Sequence, residues 1–256
     1  MAQGPNNQHH AVVVIPTYNE RENLSVVCQQ VLQATGGQVH ILVVDDNSPD
    51  GTGQLAHELA TQHSQIYVLH RERKGGLGRA YVVGFKQALD MGYQLIAQMD
   101  ADLSHDPKDL PVLIEHTAHA DVVIGSRYVP GGDVADWSRW RYYLSRYANI
   151  YVELVTGIPV IDATSGYRCW RRQVLEAISL DTIRSNGYAF QIEMAYRAYR
   201  HGFHIQEIPI VFTERRAGRS KLSRKVIWEA IWLPWKLRFS RAHRPSIAEH
   251  NPVPPL

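Results

Sequence analysis

A repeated switch of hydrophobic period constrains this chain more than any other feature. Short runs read AVVVIP at 11–16, HILVVDD at 40–46, IYVLH at 66–70, QLIAQMD at 94–100 and DVVIGSR at 121–127. Between them lie stretches with helical spacing: about 20–32, then TGQLAHELATQH, then GLGRAYVVGFKQALDMG, then a segment that Pro107 opens. A near-continuous apolar strand must be covered on both faces, and helices between such strands supply the crossovers of a parallel sheet. The expected fold class is therefore α/β, a mostly parallel sheet flanked by helices. In such sheets ligands bind beyond the carboxyl ends of the strands. Those ends read TYNE at 17–20, Asp45–Asp46, His70–Arg71, Asp100–Asp102 and Arg127, all polar and expected to share one rim.

The second half is less regular. YVPGGDVADW at 128–137 reads as a Gly-rich loop, SRWRYYLSRYANIYVELVTG as an amphipathic helix with several cations, and DATSGYRCWRR at 162–172 as a loop into a strand or turn. YAFQIEMAYRAYRHG reads as a helix ended by Gly202, and HIQEIPIVFTER as a strand leading to a Gly/Ser loop. The expected organisation is a disordered leader at 1–10, one α/β domain at 11–222, an amphipathic interfacial helix at 223–243 and a disordered tail at 244–256.

With 27 Lys and Arg against 25 Asp and Glu, there is no broad field of one sign to attract a nucleic acid. The basic clusters RERK at 71–74 and ERRAGRSK at 214–221 must be judged as local sites. Cys28 and Cys169 lack metal-ligand spacing, consistent with a reducing, cytosolic compartment. The polar start MAQGPNNQHH has no signal-peptide core, and VIWEAIWLPWKLRF at 226–239 is too short and too interrupted to span a bilayer.

The chemistry sits at the strand exits. In QLIAQMDADLSHDP an apolar strand runs straight into Asp100, Asp102 and Asp106. Buried carboxylates are costly, so a lone acidic pair of this kind is more often a solvated turn, with Asp106 capping the helix after it. At the exit of a central parallel strand the balance shifts towards cation binding, because Mg²⁺ takes one or two carboxylates plus phosphate oxygens. Tyr18 and Glu20 project into the same crevice. Asp46 is suited to accept hydrogen bonds from a base N–H, whereas Asp50 is either a ligand or turn chemistry. KGGLGRA is neither a P-loop nor a dinucleotide fingerprint. Arg127 leaves a strand, and Arg215 and Lys221 lie in a loop that is either basic surface or a phosphate clamp.

IPTYNERENL, VVDDNSPDGT, GLGRAY, MDADLSHDP, GSRYVPGG, DATSGYRCWRR, YAFQIEM and ERRAGRSK follow one another between about residues 12 and 222. In this order they resemble the polyprenol-monophosphate mannosyltransferases, inverting glycosyltransferases of family two with the Rossmann-like GT-A fold. The resemblance implies a GDP-mannose donor, Mg²⁺ or Mn²⁺, and a polyprenyl phosphate acceptor. Matched by motif, the donor-binding positions fall on Pro16, Tyr18, Glu20, Val44, Asp46, Asp100, Ala101, Asp102, Arg127, Arg215 and Lys221. Asp100 and Asp102 become the metal ligands, and Asp102, Arg127, Arg215 and Lys221 the catalytic set. Ser104 stands where some relatives carry a metal-ligating Gln. Many relatives also carry C-terminal membrane helices. Their lack here implies a cytoplasmic enzyme, peripheral on the cytoplasmic face of a membrane, or held there by a separate anchor protein.

On this reading cations aimed at the departing diphosphate are the main catalytic device, with Arg215 and Lys221 closing over it. A phosphate monoester, with a second pKa of roughly 6, needs no general base. Arg127, Arg146 and Arg168 are candidates for neutralising the acceptor phosphate, and the last two serve equally well as surface charges. Glu193 either pairs with Arg197 one turn on or orients sugar hydroxyls. The aromatic and basic segments 139–147 and 222–239 suit a membrane interface, or pack on the domain. The rivals are a UDP-sugar donor with the same acceptor, a nucleotidyltransferase making nucleotide sugars, and a non-enzymatic lipid-binding module.

Overall fold

The computed structural model describes residues 11–214 and 224–239. The leader at 1–10 and the tail at 244–256, together with Arg215 and Lys221, lie outside the described residues. The first half alternates as its periodicity requires: β1 (Ala11–Thr17), α1 (Arg21–Ala34), β2 (Val39–Asp45), α2 (Thr52–Gln62) and β3 (Ile66–His70). It continues through α3 (Leu77–Asp90), β4 (Leu95–Gln98), α4 (Leu110–His116) and β5 (Val122–Ser126). The second half holds β6 (Asp133–Val134), α5 (Arg139–Thr156), β7 (Arg168–Arg171), α6 (Arg172–Ala177) and α7 (Gly187–Arg200). It ends with β8 (Ile205–Pro209), β9 (Val211–Phe212) and α8 (Arg224–Phe239).

Seven strands form one sheet in the order β3-β2-β1-β4-β7-β5-β8, and β6 pairs with β9 beside it. β1, β2, β3 and β4 are mutually parallel, as are β5 and β8, while β7 runs antiparallel between β4 and β5. Alternate residues of the central strands feed two hydrophobic clusters. One contains Val12, Val14 and Ile96 with Phe85, Trp170 and Phe190; the other contains Val13, Ile15 and Ala97 with Leu24, Leu110 and Tyr167. Each face of the sheet therefore has its own core, which is why the strands read as apolar throughout.

Register aligns the strand exits. Thr17 lies opposite Asp45, and Asp45 opposite His70, so the first three strands end level. Because β7 is antiparallel, it begins at the rim where its neighbours end. Its preceding loop, 162–167, is thereby delivered to the exits of β4 and β5.

The C-terminal helix α8 is docked on the domain. Leu233 and Leu237 join the first core cluster, Tyr151 Oη donates to the Ile231 carbonyl at 2.7 Å, and Arg238 Nη1 donates to the Val155 carbonyl at 2.9 Å. The opposite side stays open, with Trp232 at 64% exposure and Phe239 at 70%. The packing reading therefore holds for one face of this segment, and the other face is exposed. Among the described residues no helix is long and apolar enough to cross a membrane.

Candidate active site

Local turns at the strand exits place the first wall of the site. Asn19, Asn47 and Leu103 have φ of 58°, 57° and 60°, each reversing the chain just past a strand. Asn adopts this left-handed conformation readily, whereas Leu does so only where its surroundings hold it there. At Leu103 the reversal brings the Ser104 N–H and hydroxyl onto Asp102 Oδ1, at 3.2 and 2.5 Å. The same local logic seats Asp50, whose Oδ1 accepts from the Thr52 N–H and hydroxyl and whose Oδ2 accepts from the Arg21 N–H. Asp50 is thus turn chemistry, and those hydrogen bonds outweigh its desolvation to hold the carboxyl below the usual range. Asp106 caps the following turn by accepting from the Lys108 N–H at 3.0 Å.

Beyond the exits lies a cavity of about 400 Å³, a volume within the range of small-molecule and cofactor sites. Pro16, Tyr18, Glu20, Asp46, Asp100, Ala101, Asp102 and Arg127 all line it. Four of the five polar strand exits therefore share one rim. The fifth does not: His70 turns outward to His57, Nε2 to Nε2 at 2.8 Å. Asp46 is fixed by an ion pair with Arg71 and by the Gly75 N–H at 3.0 Å. Lys74 caps the Tyr18 ring at 3.7 Å from its centroid.

The acidic pair is seated on a satisfied polar network. Gln98, fully buried one residue before Met99, donates to Gln191 Oε1 and to the Gly166 carbonyl and accepts from Trp170 Nε1, all within 2.8–3.0 Å. These bonds tie the tip of β4 to α7, to β7 and to the 162–167 loop. His105 stacks on Tyr167 at 4.9 Å and accepts from the Asp100 N–H at 3.4 Å. Burial pushes its imidazole down to about 4 despite the nearby Asp102, so the ring is neutral at pH 7.

The second wall is cationic and assembled over long range. Arg127 is buried in a bidentate pair with Asp162, at 2.7 Å on both arms, and reaches Thr164 Oγ1 at 2.8 Å. Burial opposes both charges, yet the pair raises the Arg127 pKa and lowers that of Asp162, so both stay ionised. Arg141 lines the cavity, lies over the Trp137 ring at 4.2 Å and pairs with Glu214 at 2.5 Å. Arg146 sits behind, over the Tyr128 ring at 5.5 Å. Arg146 Nη1 and Trp137 Nε1 are buried donors without a partner.

Two expected site residues are displaced. Val44 is fully buried in the first core cluster and does not line the cavity. Pairing level with Pro16 puts it under the rim, with its side chain in the core. Arg168 is 0% exposed and donates to the Ser165, Gln191 and Ala163 carbonyls at 2.7–2.9 Å, so it has no surface to offer an acceptor. Burial lowers its pKa to about 10, still well above neutrality. Glu193 does not line the cavity. It pairs with Arg197 and accepts from Ser185 Oγ at 2.5 Å, bracing the turn before α7.

Sequence reasoning missed Lys74, Gly76, Trp137, Arg141, Thr164, Asn186 and Gln191, all of which line the cavity. Most belong to segments noted only as loops or amphipathic helix. For Gly76, Thr164 and Gln191 the available signal was position within GLGRAY, DATSGYR and YAFQIEM; Lys74, Trp137, Arg141 and Asn186 lie outside those segments.

The family model described as glycosyl transferase family 2 matches residues 12–179. The polyprenol monophosphomannose synthase of Mycolicibacterium smegmatis is 50% identical over 231 residues, spanning 89% of this chain and 87% of that protein. The undecaprenyl-phosphate mannosyltransferase of Micrococcus luteus is 44% identical over 220 residues, spanning 86% of this chain and 90% of that one. Among solved structures, glucosyl-3-phosphoglycerate synthase from Mycobacterium tuberculosis, in complex with Mn²⁺, UDP and glucosyl-3-phosphoglycerate, superposes with a TM-score of 0.63. That match covers 90% of this chain and 80% of the other at 17% identity, a likeness of fold. The alternating sheet, the carboxylates at its rim and these matches lead to one conclusion: the chain belongs to glycosyl transferase family 2, with the GT-A fold.

Proposed function

We propose that this enzyme moves mannose from GDP-mannose to a polyprenyl monophosphate, releasing GDP. The observation that carries the reading is one cavity with an acidic pair on one wall and arginines on the other. The relatives named above, at 44–50% identity, support the sugar and the acceptor class.

Asp100 and Asp102 fit a hard divalent cation, Mg²⁺ or Mn²⁺. Among the described residues no group of three or more His, Cys, Asp or Glu side chains converges. Two carboxylates completed by diphosphate oxygens and water make the donor set such an ion takes. When bound, the ion supplies positive charge to the leaving diphosphate. Asp46 and Tyr18 receive the base, Glu20 flanks them, and Asp100 and Asp102 orient the diphosphate end. Arg215 and Lys221, matched to the family motif, add charge to the same group.

The acceptor enters from the cationic wall. A buried N–H without an acceptor costs roughly 1–3 kcal/mol. Trp137 Nε1, on a residue that lines the cavity with Arg141 over its ring, therefore marks a place suited to an oxyanion, and Arg146 Nη1 is a second such donor behind the cavity lining. The acceptor phosphate arrives largely ionised and needs no base. The protein's task is to hold two anions together and to keep water out. Arg127, already neutralised by Asp162, orients the wall more than it adds net charge.

A lipid acceptor requires a membrane. Trp140, Tyr147 and Leu154 of α5 and Trp232 and Phe239 of α8 are exposed on two helices packed together. Such an aromatic surface suits peripheral docking at the cytoplasmic face, alone or beside an anchor protein. The test is transfer from GDP-mannose, UDP-glucose and UDP-N-acetylglucosamine to a short polyprenyl phosphate with Mg²⁺ or Mn²⁺. Polyprenyl phosphate mannose and GDP are expected. Transfer from a UDP-sugar alone, or release of pyrophosphate, would overturn the reading.

A further inference from the structure

We infer that Gln191 is a specificity-determining residue whose side-chain amide is held as a hydrogen-bond donor to a hydroxyl of the transferred hexose. The inference rests on the reading of the cavity as a nucleotide-sugar site.

The direction of this amide is dictated from inside the protein. Trp170 Nε1 can only donate, so the Gln98 oxygen must face it, at 3.0 Å. Gln98 Nε2 is thereby turned to the Gly166 carbonyl, at 3.0 Å, and to Gln191, at 2.8 Å. Gln191 must meet that donor with Oε1, which leaves its own Nε2 on the other side. Flipping either amide would set donor against donor.

The main chain is pinned as firmly. Arg168 is 0% exposed and donates from Nη1 to the Gln191 carbonyl and from Nε to the Ser165 carbonyl, each at 2.9 Å. Arg168 and Gln98 thus fix α7 against the 162–167 loop from two sides.

Gln191 is 2% exposed and lines the cavity. Among the described residues its Nε2 meets no acceptor. Gly166, which also lines the cavity, leaves room in front of it. A Cβ built on Gly166 would lie 3.5 Å from Gln191 Nε2 and 3.4 Å from Asp100 Oδ2. A nearly buried N–H without an acceptor is costly, and a ligand oxygen at this point removes the cost.

That oxygen belongs to a hydroxyl. The Asp100 carboxylate faces the same point and repels an anionic oxygen there, whereas a neutral hydroxyl accepts from the amide without that penalty. Phosphate oxygens are matched better by the cation and the arginines. Beside the acids, at the diphosphate end of the donor, the hydroxyls within reach are those of the hexose. A donor fixed in this way discriminates against an analogue that lacks the oxygen.

The test is calorimetric binding of GDP and of GDP-mannose, with Mn²⁺, to the full chain. GDP carries the ribose and the diphosphate but no hexose. Gln191→Met keeps the length of the side chain and removes the amide. It is expected to weaken GDP-mannose about three- to tenfold, the range of one hydrogen bond, and to leave GDP unchanged. Gln98→Leu breaks the same amide pair but keeps the Gln191 side chain, so it should lower Tm and leave the ratio of the two affinities unchanged. In a GDP-mannose series lacking one hexose hydroxyl at a time, one member should bind wild type more weakly by the same factor, and Gln191→Met should erase that penalty. An unchanged ratio in a folded Gln191→Met protein overturns the inference. So does an equal loss for GDP and GDP-mannose, which would place the amide on the diphosphate or ribose, and so does an equal shift of the ratio in Gln98→Leu. Failure of wild type to bind GDP-mannose while it binds a UDP-sugar would instead sink the donor reading itself.

Discussion

The two walls of the cavity differ in how far their partners lie along the chain. At the acidic strand exits several carboxylates are shaped by near neighbours: Ser104 on Asp102, Ser48 on Asp45, Thr52 on Asp50 and Lys108 on Asp106. Asp46 and Asp100 are held from farther off, by Arg71 with Gly75 and by Tyr81. On the cationic wall both guanidiniums that line the cavity find their partners far away: Arg127 with Asp162 and Arg141 with Glu214. An acid at a strand exit can be seated by its own turn. An arginine with a long stem and five donors must wait for the fold to supply carbonyls or a carboxylate. Damage to the first wall should therefore remove chemistry and spare the fold, and damage to the second should depend on which arginine is touched.

The largest expected effect is that of Asp102→Ala. Losing a carboxylate next to the departing diphosphate should cut transfer by about a thousandfold or more. Tm should move only by the loss of the Ser104 contact, about 1 kcal/mol. Transfer assays beside thermal melts check both halves. A folded Asp102→Ala protein with wild-type turnover would break the comparison at its strongest point.

Next come two arginines that look alike in sequence and differ in surroundings. Arg168→Ala removes three hydrogen bonds to buried backbone carbonyls and leaves a cavity, and should destabilise by about 3–5 kcal/mol, measured by urea unfolding. Arg146→Ala should fold normally and raise the KM for the lipid phosphate by about tenfold, with the donor KM unchanged. If Arg168→Ala instead melted like wild type and raised only the acceptor KM, the roles assigned to the two arginines would be reversed.

The smallest effect probes electrostatics beside the acidic wall. Burial, and then the neighbouring Asp106, raise the Asp109 carboxyl to about 6. A carboxyl raised above its unfolded value of roughly 4 favours folding below that pH, and the benefit is lost as pH climbs through about 6. Asp109→Asn should therefore match wild type at pH 4 and exceed it at pH 8. The gain should be about 1 kcal/mol once solvent screening of this half-buried group is allowed for. Tm as a function of pH checks the sign.

The sheet was legible because apolar runs such as HILVVDD and the helical spacing between them leave few alternatives. The acids at the exits were legible for the same reason, since a strand of known direction announces where its end must lie. Arg168 was misjudged because a loop into a strand or turn does not say that the strand, β7, is inserted between β4 and β5. Val44 was misplaced by a matched motif that fixes a position along the chain but not the direction of its side chain. Trp137 and Arg141 were passed over because a Gly-rich loop and an amphipathic helix do not say what they face.

By itself, then, the amino-acid order determined the alternating architecture, the level strand ends and the acidic turns that follow them, because these depend on hydrophobic period and on hydrogen bonds between near neighbours. Tertiary structure alone decided which cations reach the cavity and which are spent inside the fold. The reason is physical: a buried guanidinium survives only where distant backbone or a distant carboxylate satisfies it, and those partners are brought together by the inserted antiparallel strand and the loop that precedes it.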